Sequence, residues 1–221
     1  MTKFALLGYP IRESLSPQLF RAAYGGKWEY DLLEFPDFQE CLKVFLNGPY
    51  QAANVTMPFK KDALLAATDR TKEALACDAA NILVKDGNGL RAYNSDFLAV
   101  QHLLREAKGE VTVIGGGGAG RAALQAAGSI GLKTTLLHHD ELERPVEADT
   151  VVYTLPREVD GLRNIRCRTL IEANYKTPCC TDLPGIKNYI PGTEWLRWQA
   201  ILGYKIMTGE EPDADAILKA I

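Results

Sequence analysis

The chain has 221 residues, 47 % apolar and 24 % charged, with a formal net charge of -3. That is enough apolar material for one large or two small cores, and the slightly acidic balance gives no basic field to attract nucleic acid or anionic lipid. No stretch approaches the roughly 18 apolar residues of a membrane span, and the opening MTKFALLGYPIRES lacks both the apolar length and the cleavage site of a secretory signal; a cytoplasmic location is expected. Five cysteines (Cys41, Cys77, Cys167, Cys179 and Cys180) with no CxxC pair predict reduced thiols, with neither a disulfide framework nor a structural metal.

In chain order, FALLG reads as a buried strand ended by Gly8-Tyr9-Pro10. Ser16-Pro17 has the form of an N-cap with proline at the first helical position, opening a helix to about Tyr24. A strand over 28–35, a helix over 38–46 ended by Asn47-Gly48-Pro49, a strand over 52–56 and a helix over 60–67 follow. Strands at 81–85 and 90–94 flank Asp86-Gly87-Asn88-Gly89, a hairpin signal. An amphipathic helix is predicted over 96–107, ended by Gly109.

A second αβ pattern then begins: a strand at 111–114, a glycine loop at 115–120, an alanine-rich helix at 121–129, and strands at 132–137, 150–154 and 169–173. Strand, glycine loop, helix, strand is the βαβ unit of a parallel sheet. Helices over 195–207 and 213–221 complete the chain.

Gly115, Gly117 and Gly120 stand at G-x-G-x-x-G spacing, directly after a strand and before a helix. Glycine allows a tight turn and close backbone approach to a pyrophosphate, and the helix N-terminus offers that anion free N–H groups. Gly118 and Ala119 complete this cofactor-binding loop. His138-His139-Asp140 ends the next strand, where Asp140 would accept from a free ribose 2′-OH and favour NAD, whereas an arginine or lysine pair, absent before Arg144, would favour NADP; these residues leave both cofactors open.

Polar residues gather at predicted strand ends in the first half: Ser14 and Ser16, Asn54 and Thr56 with Lys60 behind, Asn81, and Asn94 with Asp96. Four such groups in one small domain suggest a polyhydroxylated or carboxylated ligand. Lys60 with Asp96 can serve as the acid/base of alcohol oxidation and ketone reduction; the same two charges could equally form a plain surface ion pair.

These residues together resemble the shikimate dehydrogenase family. GYPIRESLSPQLFRAAY is similar to its G-x-P-x-x-x-S-x-S-P opening, ANVTMPFK to N-V-T-x-P-x-K, DAANIL to A-x-N-T-L, YNSDF to N-T-D, and GGGGAGRA to G-A-G-G-A-x-R. The resemblance implies two αβ domains with the active site in the cleft between them: a substrate domain over 1–100 and 203–221, and a Rossmann-like domain over 101–202. It implies that Ser14 and Ser16 hold a substrate carboxylate, and that Thr56, Asn81 and Asp96 bind ring hydroxyls. Lys60 would be the catalytic acid/base with Asp96 as partner, Tyr175 and Gln199 would contact substrate, and Gly192 would lie near the nicotinamide.

The implied activity is NADP-dependent interconversion of 3-dehydroshikimate and shikimate in aromatic amino-acid biosynthesis, by a monomer or homodimer. The departures fall in the cofactor half. His138-His139-Asp140 replaces the family's Asn-Arg-Thr, 138–150 is too short for the usual helix, and Tyr153-Thr154-Leu155-Pro156 replaces an N-A-T-S-like segment. An NAD-preferring quinate/shikimate dehydrogenase and a non-catalytic sensor of shikimate therefore stand as alternatives.

Overall fold

The computed structural model describes residues 2–87 and 89–221. The chain divides into two compact units, one running to Ser95 and resuming from Gln199 to Ile221, the other Asp96–Trp198. Both are α/β.

The first unit holds a six-stranded mixed sheet. Its strands are β1 (Lys3–Gly8), β2 (Glu29–Glu34), β3 (Tyr50–Val55), β4 (Asp69–Arg70), β5 (Ile82–Asp86) and β6 (Gly89–Tyr93), in the order β2-β1-β3-β5-β6-β4. β1 runs parallel to β2 and β3, while β5 is antiparallel to β3 and β6. The apolar run Phe4–Leu7 is buried on both faces, as the central position of its strand demands.

One face packs Leu7, Ala53, Val55 and Leu83 against Phe38, Cys41 and Phe45 of α2 (Phe38–Asn47) and Ala63 and Leu64 of α3 (Lys60–Ala66). Aromatic rings gather around Phe20 of α1 (Ser16–Tyr24): Phe4 and Tyr204 at 5.0 Å and Tyr30 at 4.8 Å between centroids, separations that favour tilted and edge contacts.

Three sequence expectations need adjustment here. Ser16 is the first helical residue rather than the N-cap, because Leu15 holds that position without a side-chain acceptor. Strand β4 and the short helix α4 (Lys72–Ala76) lie in a stretch too brief to show a period. Asn88 of the anticipated turn lies outside the described residues, although its strands do pair, Asp86 against Gly89.

The second unit begins in α5 (Ser95–Leu103), which stops four residues short of the expected Ala107. Its sheet is all parallel: β7 (Glu110–Ile114), β8 (Lys133–Leu137), β9 (Val146–Tyr153), β10 (Ile165–Glu172) and β11 (Ile186–Ile190), in the order β11-β10-β9-β7-β8. The edge strand β11 has no sequence expectation, since its half-exposed IKNYI lacks a buried run.

Helix α6 (Gly118–Ser129) carries the β7–β8 crossover and buries Ala122, Ala123, Ala126 and Ala127. The β8–β9 and β9–β10 connections contain only 3₁₀ turns, at His139–Glu143 and Leu162–Asn164, where parallel neighbours usually take a helix. Helix α7 (Gly192–Thr208) continues from this unit into the first, and α8 (Ala214–Ala220) ends the chain. Among the described residues no helix is long and apolar enough to cross a membrane.

Candidate active site

Sheet topology brings the first unit's polar groups to one edge. The parallel strands β1 and β3 end together, and Tyr9 N–H donates to the Met57 carbonyl at 3.1 Å across the loops that follow. Antiparallel β5 starts at that same edge, where Val55 N–H donates to the Asn81 carbonyl at 2.8 Å, and β6 returns to it, with Asn81 N–H on the Tyr93 carbonyl at 3.0 Å. Four segments that sequence places far apart thus share one rim: Ser14 to Ser16, Thr56 to Lys60, Asn81, and Asn94 with Ser95.

Their local geometry is defined. Ser16 N–H donates to Ser14 Oγ at 3.2 Å, and the two hydroxyls lie 3.2 Å apart. Thr56 is half-buried and accepts the Phe59 N–H at 3.0 Å through its carbonyl. Lys60 is half-buried at the first position of α3, and its carbonyl accepts the Ala80 N–H at 2.8 Å. The buried Asn81 amide is also an internal brace: its Oδ1 accepts Ser95 N–H at 2.7 Å and its Nδ2 donates to Ser95 Oγ at 3.1 Å. Asn94 donates to the Ala79 carbonyl at 2.9 Å, so it fixes the rim from behind.

Within the second unit, Asp96 is 9 % exposed, and its Oδ1 accepts the indole N–H of Trp195 at 3.1 Å. No sequence signal marks Trp195, 99 residues away from Asp96. Tyr175 is half-buried, and burial pushes its hydroxyl pKa up. Its loop is shaped by Asn174, whose Oδ1 accepts the N–H groups of Lys176 and Thr177, both at 3.2 Å. Gly192 backs onto that loop; a Cβ there would lie 2.6 Å from the Asn174 carbonyl carbon and 2.7 Å from Tyr175 N. Gln199 is half-buried on α7.

The glycine loop fits a pyrophosphate. Gly115 adopts φ 103°, and a Cβ on Gly120 would fall 1.8 Å from the Gly115 carbonyl oxygen, so these two glycines serve the turn and its packing. Gly117 is the N-cap of α6 without any side-chain acceptor, and Cβ positions on Gly117 and Gly118 meet nothing within 4 Å. The first-turn N–H groups, those of Gly118 and Ala119 included, lack intrahelical acceptors at a positive helix end, and the space beside Gly117 and Gly118 is open. Thr154 braces the loop from one side, its hydroxyl donating to the Gly115 carbonyl at 3.2 Å, and His138 flanks it with Cε1 3.3 Å from a Cβ built on Gly116. Asp140 is exposed in the turn beyond, and Glu141 accepts the His138 N–H at 2.7 Å.

A separate cavity of about 490 Å³ in this unit is lined by His102, Arg168, Asn188, Glu194 and Trp198 among others. No residue of the glycine loop reaches it.

The fold and these two groups of residues define a two-unit α/β protein that pairs a polar sheet rim with a dinucleotide-type glycine loop. Residues 6–83 match the shikimate dehydrogenase substrate binding domain. The chain is 32 % identical over 199 residues to the pentafunctional AROM polypeptide of Mycosarcoma maydis, an alignment covering 78 % of this chain and 12 % of that protein. It is 28 % identical over 268 residues to the shikimate dehydrogenase (NADP(+)) of Alteromonas mediterranea, covering 100 % of this chain and 96 % of that one. It spans only 56 % and 58 % of the length of two further curated shikimate dehydrogenases.

The crystal structure of the Thermus thermophilus enzyme in complex with NADP(H) and shikimate superposes with a TM-score of 0.87 at 24 % identity, covering 100 % of this chain and 98 % of that one. Residues 6–83 thus match a shikimate dehydrogenase substrate binding domain, and over its whole length the chain is similar to shikimate dehydrogenases in sequence and fold.

Proposed function

We propose that the protein reversibly reduces 3-dehydroshikimate to shikimate with a nicotinamide dinucleotide, NADPH first. The observation that carries this reading is the convergence of Ser14, Ser16, Thr56, Lys60 and Asn81 on one rim of the first sheet, all five within the stretch that matches the substrate binding domain.

The paired hydroxyls of Ser14 and Ser16 suit a carboxylate, an acceptor-only group that takes two donors. Thr56, Asn81 and Asp96 supply partners for ring hydroxyls, with Tyr175 and Gln199 as further substrate contacts. Lys60 serves as acid/base: in reduction its ammonium gives a proton to the carbonyl oxygen as that oxygen becomes an alcohol, and in oxidation the amine takes the proton back. Asp96 is proposed as its catalytic partner. The dinucleotide, when bound, supplies or accepts the hydride. On the chain's side, the N-terminus of α6 at Gly117–Ala119 would hold the pyrophosphate, and Gly192 would face the nicotinamide end.

The turn after β8 favours a second reading of the cofactor. Acidic Asp140, Glu141 and Glu143 stand there, with Arg144 the nearest arginine, a balance that suits a free ribose 2′-OH and hence NADH. The short 3₁₀ crossovers of this unit keep the sensor reading in play as well.

Parallel assays of 3-dehydroshikimate reduction, following the absorbance of NADPH and of NADH, test all three. Turnover with NADPH supports the first reading, and a strong preference for NADH moves the protein to the second. Shikimate binding without turnover from either cofactor overturns the enzymatic reading in favour of a sensor.

A further inference from the structure

Two cysteines with no sequence signature acquire a neighbour in the fold. Glu172 closes β10 with its side chain fully buried, 0 % exposed. Its Oε1 accepts the Cys179 N–H at 2.8 Å, and its Oε2 accepts the Cys180 N–H at 3.4 Å and the Tyr189 hydroxyl at 2.5 Å. Among the described residues no lysine, arginine or histidine pairs with this carboxyl group. A buried carboxyl group among neutral donors is held by hydrogen bonds, and buried acidic groups are commonly found paired or coordinating a metal.

The donors of a cation site are already gathered. The Sγ atoms of Cys179 and Cys180 and an oxygen of Glu172 lie within 4.8 Å of one another. Zinc–sulfur bonds of about 2.3 Å and zinc–oxygen bonds of about 2.1 Å at tetrahedral angles place sulfur and oxygen about 3.6 Å apart. Cys179 Sγ stands 3.5 Å from Glu172 Oε1. The Cys179–Glu172 half of the chelate therefore needs little movement, and the Tyr189 hydroxyl braces the other carboxyl oxygen.

We propose that Glu172, Cys179 and Cys180 form a structural site for one thiophilic divalent cation, zinc by chemistry. Binding displaces the two thiol protons to solvent and leaves a carboxylate and two thiolates on the ion. The fold gives such a clip a purpose. The β8–β9 and β9–β10 connections lack the helices that usually cover this kind of sheet, and Cys180 and Leu183 of the long loop before β11 pack into the core formed by Leu142, Tyr153, Leu162 and Leu170. A cation would tie that loop to the end of β10. Zinc sites are read in sequence from separated Cys pairs; adjacent thiols with a glutamate seven residues upstream carry no such signature.

The test is titration of the chelator-treated full chain with Co²⁺, Cd²⁺ and Zn²⁺. One equivalent per chain is expected, with thiolate charge-transfer absorption for Co²⁺ and Cd²⁺, release of two protons per ion, and a higher Tm with Zn²⁺. Cys179→Ser, which leaves the core Cys180 in place, and Glu172→Gln should each weaken binding by tenfold or more, on the order of losing a ligand or its orientation. Absence of the charge-transfer band with an unchanged Tm overturns the proposal. So does a band that survives in Cys179→Ser, and so does a Cys179–Cys180 disulfide in protein purified without added oxidant.

Discussion

The indole N–H of Trp195 donates to Asp96 Oδ1 at 3.1 Å, joining the first turn of α7 to the first turn of α5. Both side chains are buried, Trp195 at 5 % exposure, so the bond fixes the carboxylate proposed to partner Lys60. Trp195→Phe keeps most of the ring and removes the donor. Leaving a buried acceptor short of a partner costs roughly 1–3 kcal/mol, so a lower urea midpoint is expected, with a fall in kcat for 3-dehydroshikimate reduction. Unchanged kcat in a destabilised variant would make Trp195 purely structural.

Lys60→Ala tests the acid/base itself. Lys60 is half-buried and its side chain leaves the start of a short helix, so the fold should survive. Turnover is expected to drop by about 10²–10⁴-fold, the usual scale for a positioned proton donor, while shikimate binding persists. Near-normal turnover in that variant removes Lys60 from the role.

Two glycines of one loop should behave oppositely. Gly120→Ala places a Cβ 1.8 Å from the Gly115 carbonyl oxygen, backbone that cannot give way, and a large loss of Tm is expected. Gly117→Ala meets nothing within 4 Å, so Tm should change little. Cofactor affinity should still fall, because that open space is where a pyrophosphate would approach. The pair is read by thermal melts beside NADPH and NADH titrations.

Burial pushes the Cys167 thiol pKa up from 9.0 to about 11. A thiol whose folded pKa exceeds its unfolded value contributes stability that is fully present below about pH 9 and is lost as pH rises through about 11. Urea midpoints measured from pH 8 to 11 should therefore fall, and Cys167→Ala should flatten part of that slope. A midpoint independent of pH over this window would contradict the buried, protonated thiol.

Much of the architecture is legible in the residues. The run Phe4–Leu7 announces a central strand because only a strand covered on both faces is apolar throughout, and Val111–Ile114 before the glycines announces a parallel sheet for the same reason. Elements without such a period are not legible: β4 and α4 are too short, and β11 is a half-exposed edge strand. Helix α5 ends earlier than its pattern predicts: Leu104 N–H still reaches the Val100 carbonyl four residues back, but the Arg105 and Ala107 N–H groups turn to carbonyls only three residues back, a tightening that apolar spacing does not announce.

By itself the sequence determined the two αβ patterns, the glycine loop and the residue types of the proposed hydroxy-acid site, since strand period, turn chemistry and charge are local properties of the chain. The tertiary structure decided which of those residues meet. Parallel β1 and β3 and antiparallel β5 and β6 bring Ser14, Thr56, Lys60 and Asn81 to one rim, a result of strand order that no local pattern encodes. It also gave Asp96 its tryptophan and Cys179 and Cys180 their buried glutamate. Those pairings follow from burial, which forces each polar group withdrawn from water to find a partner wherever the fold delivers one.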